Sequence, residues 1–114
     1  MIDWPKRGEI WTVRLDPTVG AEIKKTRPAL VISNNLGNQY SQLVTVLPIS
    51  DQGDKVYPFE VAVHGSGTGL TKHSKIKCQQ IRTVDKSRLT GCLGIVHPSV
   101  LNDVATALKN HLAI

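Results

Sequence analysis

Turn-forming clusters recur so often along this chain that only its last stretch has room for a long helix. Asp16-Pro17-Thr18-Val19-Gly20, Asn34-Asn35-Leu36-Gly37-Asn38, Asp51-Gln52-Gly53-Asp54 and the triplet Gly65, Gly67 and Gly69 each interrupt the apolar pattern. Gly supplies positive φ, Pro fixes φ, and Asn and Asp bond back to their own backbone. Between these breaks lie short β-rich runs. Glu9 to Leu15 alternates, with Trp11, Val13 and Leu15 on one face and Thr12 and Arg14 on the other. Arg27 to Ser33 is apolar in succession, as expected of a strand buried on both sides, with Pro28 at its start because proline cannot donate to a ladder. Leu43 to Ile49 is a third strand, closed by Ser50. Val56 to Val63 follows, marked by Pro58 as an edge strand or a bulge. Ser74 to Val84 carries one or two more, and Thr90 to Val96 a last one. From Pro98 onward, Val100, Leu101, Val104, Ala105, Leu108 and Leu112 form one stripe at helical spacing, and Pro98 suits a first helical turn.

Short strands followed by one terminal helix predict a mainly β fold, a small SH3-like antiparallel barrel with a C-terminal α-helix packed on it. At 114 residues the chain reads as a single domain spanning 1–114, large enough for one core without staples. Met1 to Arg7 is polar and no apolar h-region follows, so no secretion signal is expected. Cys78 and Cys92 do not make a disulfide scaffold, and both are expected as buried thiols in a cytoplasmic protein. The longest strongly apolar run, Ala29 to Ile32, is far too short to span a bilayer, and no membrane partner is expected.

Charge narrows the choice of partner. Fourteen Lys and Arg against nine Asp and Glu leave a net +5, an excess that favours a polyanion such as nucleic acid or an acidic protein segment. His64, His73, His97 and His111 are scattered, no His-x-x-x-His or Cys-x-x-Cys pair exists, and the acids are dispersed. Neither a metal centre nor any other cofactor is therefore predicted. Gly65 to Gly69 lacks Walker spacing and a following helix, and reads as a flexible hairpin connection. There is no Gly-x-Ser-x-Gly elbow for acyl transfer. The basic residues say more. Lys24, Lys25 and Arg27 stand where a mobile loop meets a rigid strand, so the scaffold can hold a cation while the loop closes over a ligand. Lys75 and Lys77 project from one strand face, and Gln79, Gln80 and Arg82 continue with groups suited to base edges or phosphates. Ser50 gains a function only if it meets Arg27 across the sheet.

Five segments taken in order together resemble the MazF/PemK family of toxins from bacterial toxin–antitoxin pairs, and the resemblance runs from about Arg7 to Leu108. They are Arg7-Gly8-Glu9-Ile10-Trp11, the loop from Leu15 to Glu22, Thr26-Arg27-Pro28-Ala29-Leu30-Val31-Ile32-Ser33-Asn34, Leu47-Pro48-Ile49-Ser50, and the run from Gln80 to Leu89. The resemblance implies an SH3-like barrel that forms a two-fold homodimer. It also implies a sequence-specific endoribonuclease that needs no metal and cuts single-stranded RNA, chiefly mRNA. In that chemistry the ribose 2′-OH attacks the adjacent phosphorus and leaves a 2′,3′-cyclic phosphate and a 5′-OH.

By the same resemblance Arg27 stabilises the phosphorane, and Ser50, where many members carry Thr, bonds the phosphate. Substrate recognition falls to a groove that includes Glu22, Lys24, Lys25, Lys77, Gln79, Gln80 and Arg82. Some members carry an acid just before the residue matching Gln80. This chain has Gln79 there, which cannot take a proton at neutral pH, and Glu22 is left as the candidate base. The implied partner is a cognate antitoxin whose acidic, disordered tail lies across the groove and folds on binding. Two alternatives remain: a gyrase poison of the CcdB type on the same barrel, and a relative that binds RNA without cutting it. Retention of both Arg27 and Ser50 argues against the first, and Gln79 alone encourages the second.

Overall fold

The computed structural model describes residues 4–114. Met1, Ile2 and Asp3, part of the stretch read as lacking a secretion signal, lie outside the described residues. Seven strands, β1 (Glu9–Arg14), β2 (Thr26–Val31), β3 (Leu43–Asp51), β4 (Glu60–Val63), β5 (Ser74–Lys77), β6 (Arg82–Asp85) and β7 (Leu89–Ile95), precede the long helix. That helix, α2 (Pro98–Leu112), follows β7, and a short α1 (Asn35–Tyr40) separates β2 from β3. The pairings are antiparallel, in the order β4-β5-β3-β2-β1-β7, with β6 also on β3. The result is the predicted mainly β architecture, a partly closed barrel with a C-terminal helix. No helix among the described residues is long and apolar enough to cross a membrane.

β3 organises the barrel because it serves three neighbours. Leu43 to Val46 pair with β6, Val46 to Pro48 with β2, and Ile49 to Asp51 with β5. Pro48 sits at the hand-over, where its missing N–H costs the least ladder bonding. The strand therefore runs through Ser50 to Asp51 rather than stopping at Ile49.

β2 is buried on both faces, as its unbroken apolar run predicts. Leu30 enters a core with Ile10, Leu47, Ile49 and Ile76, closed by Val104 and Ala107 of α2. Ala29 and Val31 face a second core with Val13, Leu15, Val44, Val46 and Val84, against which Trp11 and Ile23 pack. Each Val, Leu or Ile among them contributes roughly 1.5–3 kcal/mol by leaving water. α2 begins as predicted, with Pro98 in its first turn and the His97 ring accepting the Ser99 N–H. Leu112, the last residue of the predicted stripe, stays 45% exposed.

Four expectations need correction. Asn35 to Asn38 is helical rather than part of a bare turn, because the side chain of the extended Asn34 caps α1 by accepting the Gly37 N–H at 2.9 Å. Only Glu60–Val63 of the run from Val56 pairs, since Pro58 cannot join a ladder, although the strand is the predicted edge strand. Cys78 is buried but Cys92 is exposed, and no disulfide links them. The glycine-rich connection is packed rather than loose: Thr68 is buried, and Gly67 O accepts the Ile95 N–H at 2.8 Å. A Cβ on Gly94 would come within 2.1 Å of that same carbonyl oxygen, so the approach requires glycine. Ser74 to Val84 resolves into β5 and β6, broken by a 3-10 turn over Cys78–Gln80.

Candidate functional site

The β2–β3 ladder pairs Val31 with Val46, Leu30 with Leu47 and Ala29 with Pro48, then stops at the proline. Continued in that register, the next pair on the same face is Arg27 and Ser50. Side chains alternate along a strand, so both fall on the face of Ala29 and Val31, at the rim of the second core. Arg27 is exposed, and its side chain makes no hydrogen bond or ion pair among the described residues. Ser50 is half-buried, and its Oγ donates only a long bond, 3.3 Å, to the Asp51 carbonyl. The barrel thus presents an unengaged guanidinium and a loosely held hydroxyl at neighbouring strand ends.

The loop between β1 and β2 lies over this face and is tied down at several points. At its base Leu15 N–H donates to Lys25 O at 2.8 Å, and the Asp16 carboxylate accepts from the Thr18 hydroxyl at 2.9 Å and the Lys25 N–H at 3.0 Å. At its tip Val19 N–H donates to Glu22 Oε1 at 2.7 Å. Ile23 packs into the second core while its N–H donates to Gln80 Oε1 at 2.7 Å. Arg82, cross-strand from Val46 and so on the same face, donates to Leu15 O at 3.1 Å. The loop expected to be mobile is anchored by two of the residues expected to bind substrate. Between loop and barrel a cleft of about 350 Å³ is lined by Ala21, Glu22, Gln79, Gln80, Ile81 and Arg82. Glu22, Gln79, Gln80 and Arg82, four of the candidate substrate-binding residues, therefore line one cleft. Lys24 is exposed on the loop outside this lining. Lys25 instead lines a neighbouring basic cleft of about 410 Å³ with Arg14, Asp16, Thr26, Ser87 and Arg88.

Lys77 and Gln79 are held by a residue that the sequence does not single out. Glu60, 6% exposed, accepts Gln79 Nε2 at 3.1 Å and pairs with Lys75 Nζ at 3.0 Å and Lys77 Nζ at 3.5 Å. It also accepts the Tyr57 N–H at 3.0 Å. Burial alone would raise its carboxyl, but the bonds from Tyr57, Gln79 and Lys75 outweigh that and hold it down at about 2. Gln79 gains a fixed orientation: turning its amide over would set oxygen against carboxylate. Its Oε1 is buried and without a partner among the described residues. Nearby, burial pushes the Cys78 thiol up to about 11, so it stays protonated and unreactive at neutral pH. Among the described residues no three His, Cys, Asp or Glu side chains come together as a metal site. The sequence does not mark Glu60, which stands as the polar half of an alternation, because its lysine partners lie on another strand.

Over residues 6–112 the chain matches the family described as PemK-like, MazF-like toxins of type II toxin–antitoxin systems. It is 39% identical over 112 residues to endoribonuclease MazF9 of Mycobacterium tuberculosis, covering 94% of this chain and 95% of that protein. To endoribonuclease EndoA of Bacillus subtilis it is 36% identical over 110 residues, covering 96% and 95%. Among solved structures, a MazF from Deinococcus radiodurans superposes with a TM-score of 0.87 at 26% identity, over 99% of this chain and 100% of that one. A mycobacterial endoribonuclease in complex with its cognate antitoxin gives a TM-score of 0.80 at 26% identity, over 96% of each chain.

Proposed function

Because the chain belongs to the PemK-like, MazF-like toxin family, we propose that it is the endoribonuclease toxin of a toxin–antitoxin pair, cutting single-stranded RNA without a metal. The observation that supports this reading is Arg27, a charged side chain unpartnered among the described residues, at the position that would face Ser50 if the β2–β3 register continued beyond Pro48. In the reaction the ribose 2′-oxygen bonds to phosphorus, the P–O5′ bond breaks, and the products are a 2′,3′-cyclic phosphate and a 5′-OH. Negative charge builds on the non-bridging oxygens of the phosphorane. Arg27 supplies a fixed fork of N–H donors to those oxygens and keeps its charge at any working pH. A donor of this kind contributes about 3–4 kcal/mol to the transition state.

Ser50 turns from its long bond to Asp51 and donates to the same phosphate. Glu22 is the carboxylate lining the cleft, and one of its oxygens is already occupied by Val19 N–H. The other is assigned to accept the 2′-OH proton, and the departing 5′-oxygen takes a proton from water. Lys24, Lys25, Lys77, Gln79, Gln80 and Arg82 bind the flanking nucleotides. The active unit is a cytoplasmic homodimer, and an antitoxin with an acidic disordered tail covers the groove.

The test is incubation of purified protein with long unstructured RNA in excess EDTA. Discrete cuts bearing 2′,3′-cyclic phosphate ends support the reading. Intact RNA, or cutting that requires an added metal, refutes it and moves weight to gyrase poisoning or non-catalytic binding.

A further inference from the structure

Tyr57 and Phe59 form a parallel stack, with ring centroids 5.6 Å apart and planes 7° from each other. Phe59 is half-buried and faces His111 of α2 at 6.5 Å, whereas Tyr57, the outer ring, is 43% exposed. Lys55 Nζ stands 5.1 Å from the Tyr57 centroid and Lys75 Nζ 5.8 Å. The platform is fixed from below. Tyr57 N–H and Lys75 Nζ both bond Glu60 Oε1, and Glu60 N–H returns a bond to Tyr57 O at 2.8 Å. Lys75 is also the ladder partner of Ser50. An exposed aromatic ring flanked by ammonium groups therefore lies one strand away from the candidate catalytic hydroxyl.

We propose that the exposed face of Tyr57 is a base-stacking subsite for single-stranded RNA, with the exposed Lys55 taking the neighbouring phosphate while Lys75 stays bound to Glu60. The inference rests on the ribonuclease reading above and adds a place for a nucleotide beyond the scissile one. A ring and neighbouring cations together are what an unpaired strand needs, since every base has a π-face and every nucleotide a phosphate. In the free protein Lys55 lies over the ring in an exposed and therefore weak cation–π contact. An incoming base replaces that contact with a stack, and its own phosphate draws the lysine aside. Phe59 supports the ring from behind, so Tyr57 does not tilt inward when loaded.

The binding test uses a short 2′-O-methyl RNA pool of random sequence, which has no 2′-hydroxyl to react, and an abasic oligomer of equal length and charge. Tyr57→Ala weakens binding of the pool roughly 10-fold and leaves the abasic oligomer unchanged. Tyr57→Phe binds the pool as wild type does. Tyr57→Leu, which keeps an apolar cover on Phe59, loses as much as Tyr57→Ala and serves where the alanine variant does not fold. Lys55→Ala weakens both probes alike. Equal loss on both probes for Tyr57→Ala and Tyr57→Leu, or no loss on either, overturns the subsite, as does a phenylalanine variant that fails with them. Because the pool cannot be cut, these binding arms report on the platform whether or not wild-type protein cleaves long RNA.

Discussion

Glu60 gathers four donors on one carboxylate: the Tyr57 N–H, two ammonium groups and the Gln79 amide. Its ordinary value of 4.5 falls to about 2 in the folded chain. A depressed native value means that its stabilisation is complete above the unfolded value and is lost as pH falls from there toward 2. The linked contribution is on the order of 3 kcal/mol. Glu60→Gln should therefore lower stability by about 2–3 kcal/mol at neutral pH and flatten the acid limb below pH ~5. Urea titrations of both proteins at neutral and acid pH check this, and identical acid limbs would remove Glu60 from the account.

Residues at this scale differed in how far the sequence revealed them. Arg27 was legible as a candidate because an arginine opening an apolar strand calls for a partner, and the structure leaves its side chain exposed. Glu60 was not, because in Val56 to Val63 it reads as the polar half of an alternation. Its burial depends on Lys75 and Lys77, which only the β4–β5 pairing brings to it. The Tyr57–Phe59 stack was hidden for a similar reason: Pro58 keeps that segment out of the strand, so strand alternation does not place its rings.

At the scale of elements, the β1–β2 loop is held over the cleft by a small number of bonds that can be cut singly. Gln80→Ala removes the acceptor for Ile23 N–H, a bond contributing about 1 kcal/mol. Amide exchange across residues 19–25 should then quicken roughly 5- to 10-fold, while the β1–β2 ladder keeps its protection. Unchanged exchange would show that Ile23 packing alone holds the loop. At the opposite edge, Gly94→Ala forces a methyl group against the Gly67 carbonyl and should cost ~3 kcal/mol in urea unfolding. Strand positions were readable from alternation and breakers. The short helix α1 was not, because Asn34 and Gly37 are turn formers by composition and become a cap and a helical residue only through the Asn34 side-chain bond. The extension of β3 through Pro48 was equally hidden, since it depends on a change of ladder partner at that residue.

For the whole molecule, the net +5 and the basic side chains of the larger cleft, Arg14, Lys25 and Arg88, would make the proposed binding of RNA an exchange of counterions for phosphates. Affinity for an uncleavable strand should fall steeply as salt rises, losing on the order of 10-fold or more between ~50 and ~200 mM. Affinity indifferent to salt would contradict a basic groove.

The most direct test of the central claim, that Arg27 and Ser50 carry the cut, is single-turnover cleavage at one mapped site in excess EDTA. Wild type, Arg27→Ala, Ser50→Ala and the double variant would be compared. The account predicts at least ~100-fold loss for Arg27→Ala, a smaller loss for Ser50→Ala, and a double variant little slower than Arg27→Ala. Arg27→Ala cutting at near wild-type rate, or Ser50→Ala proving the slower of the two, would contradict it.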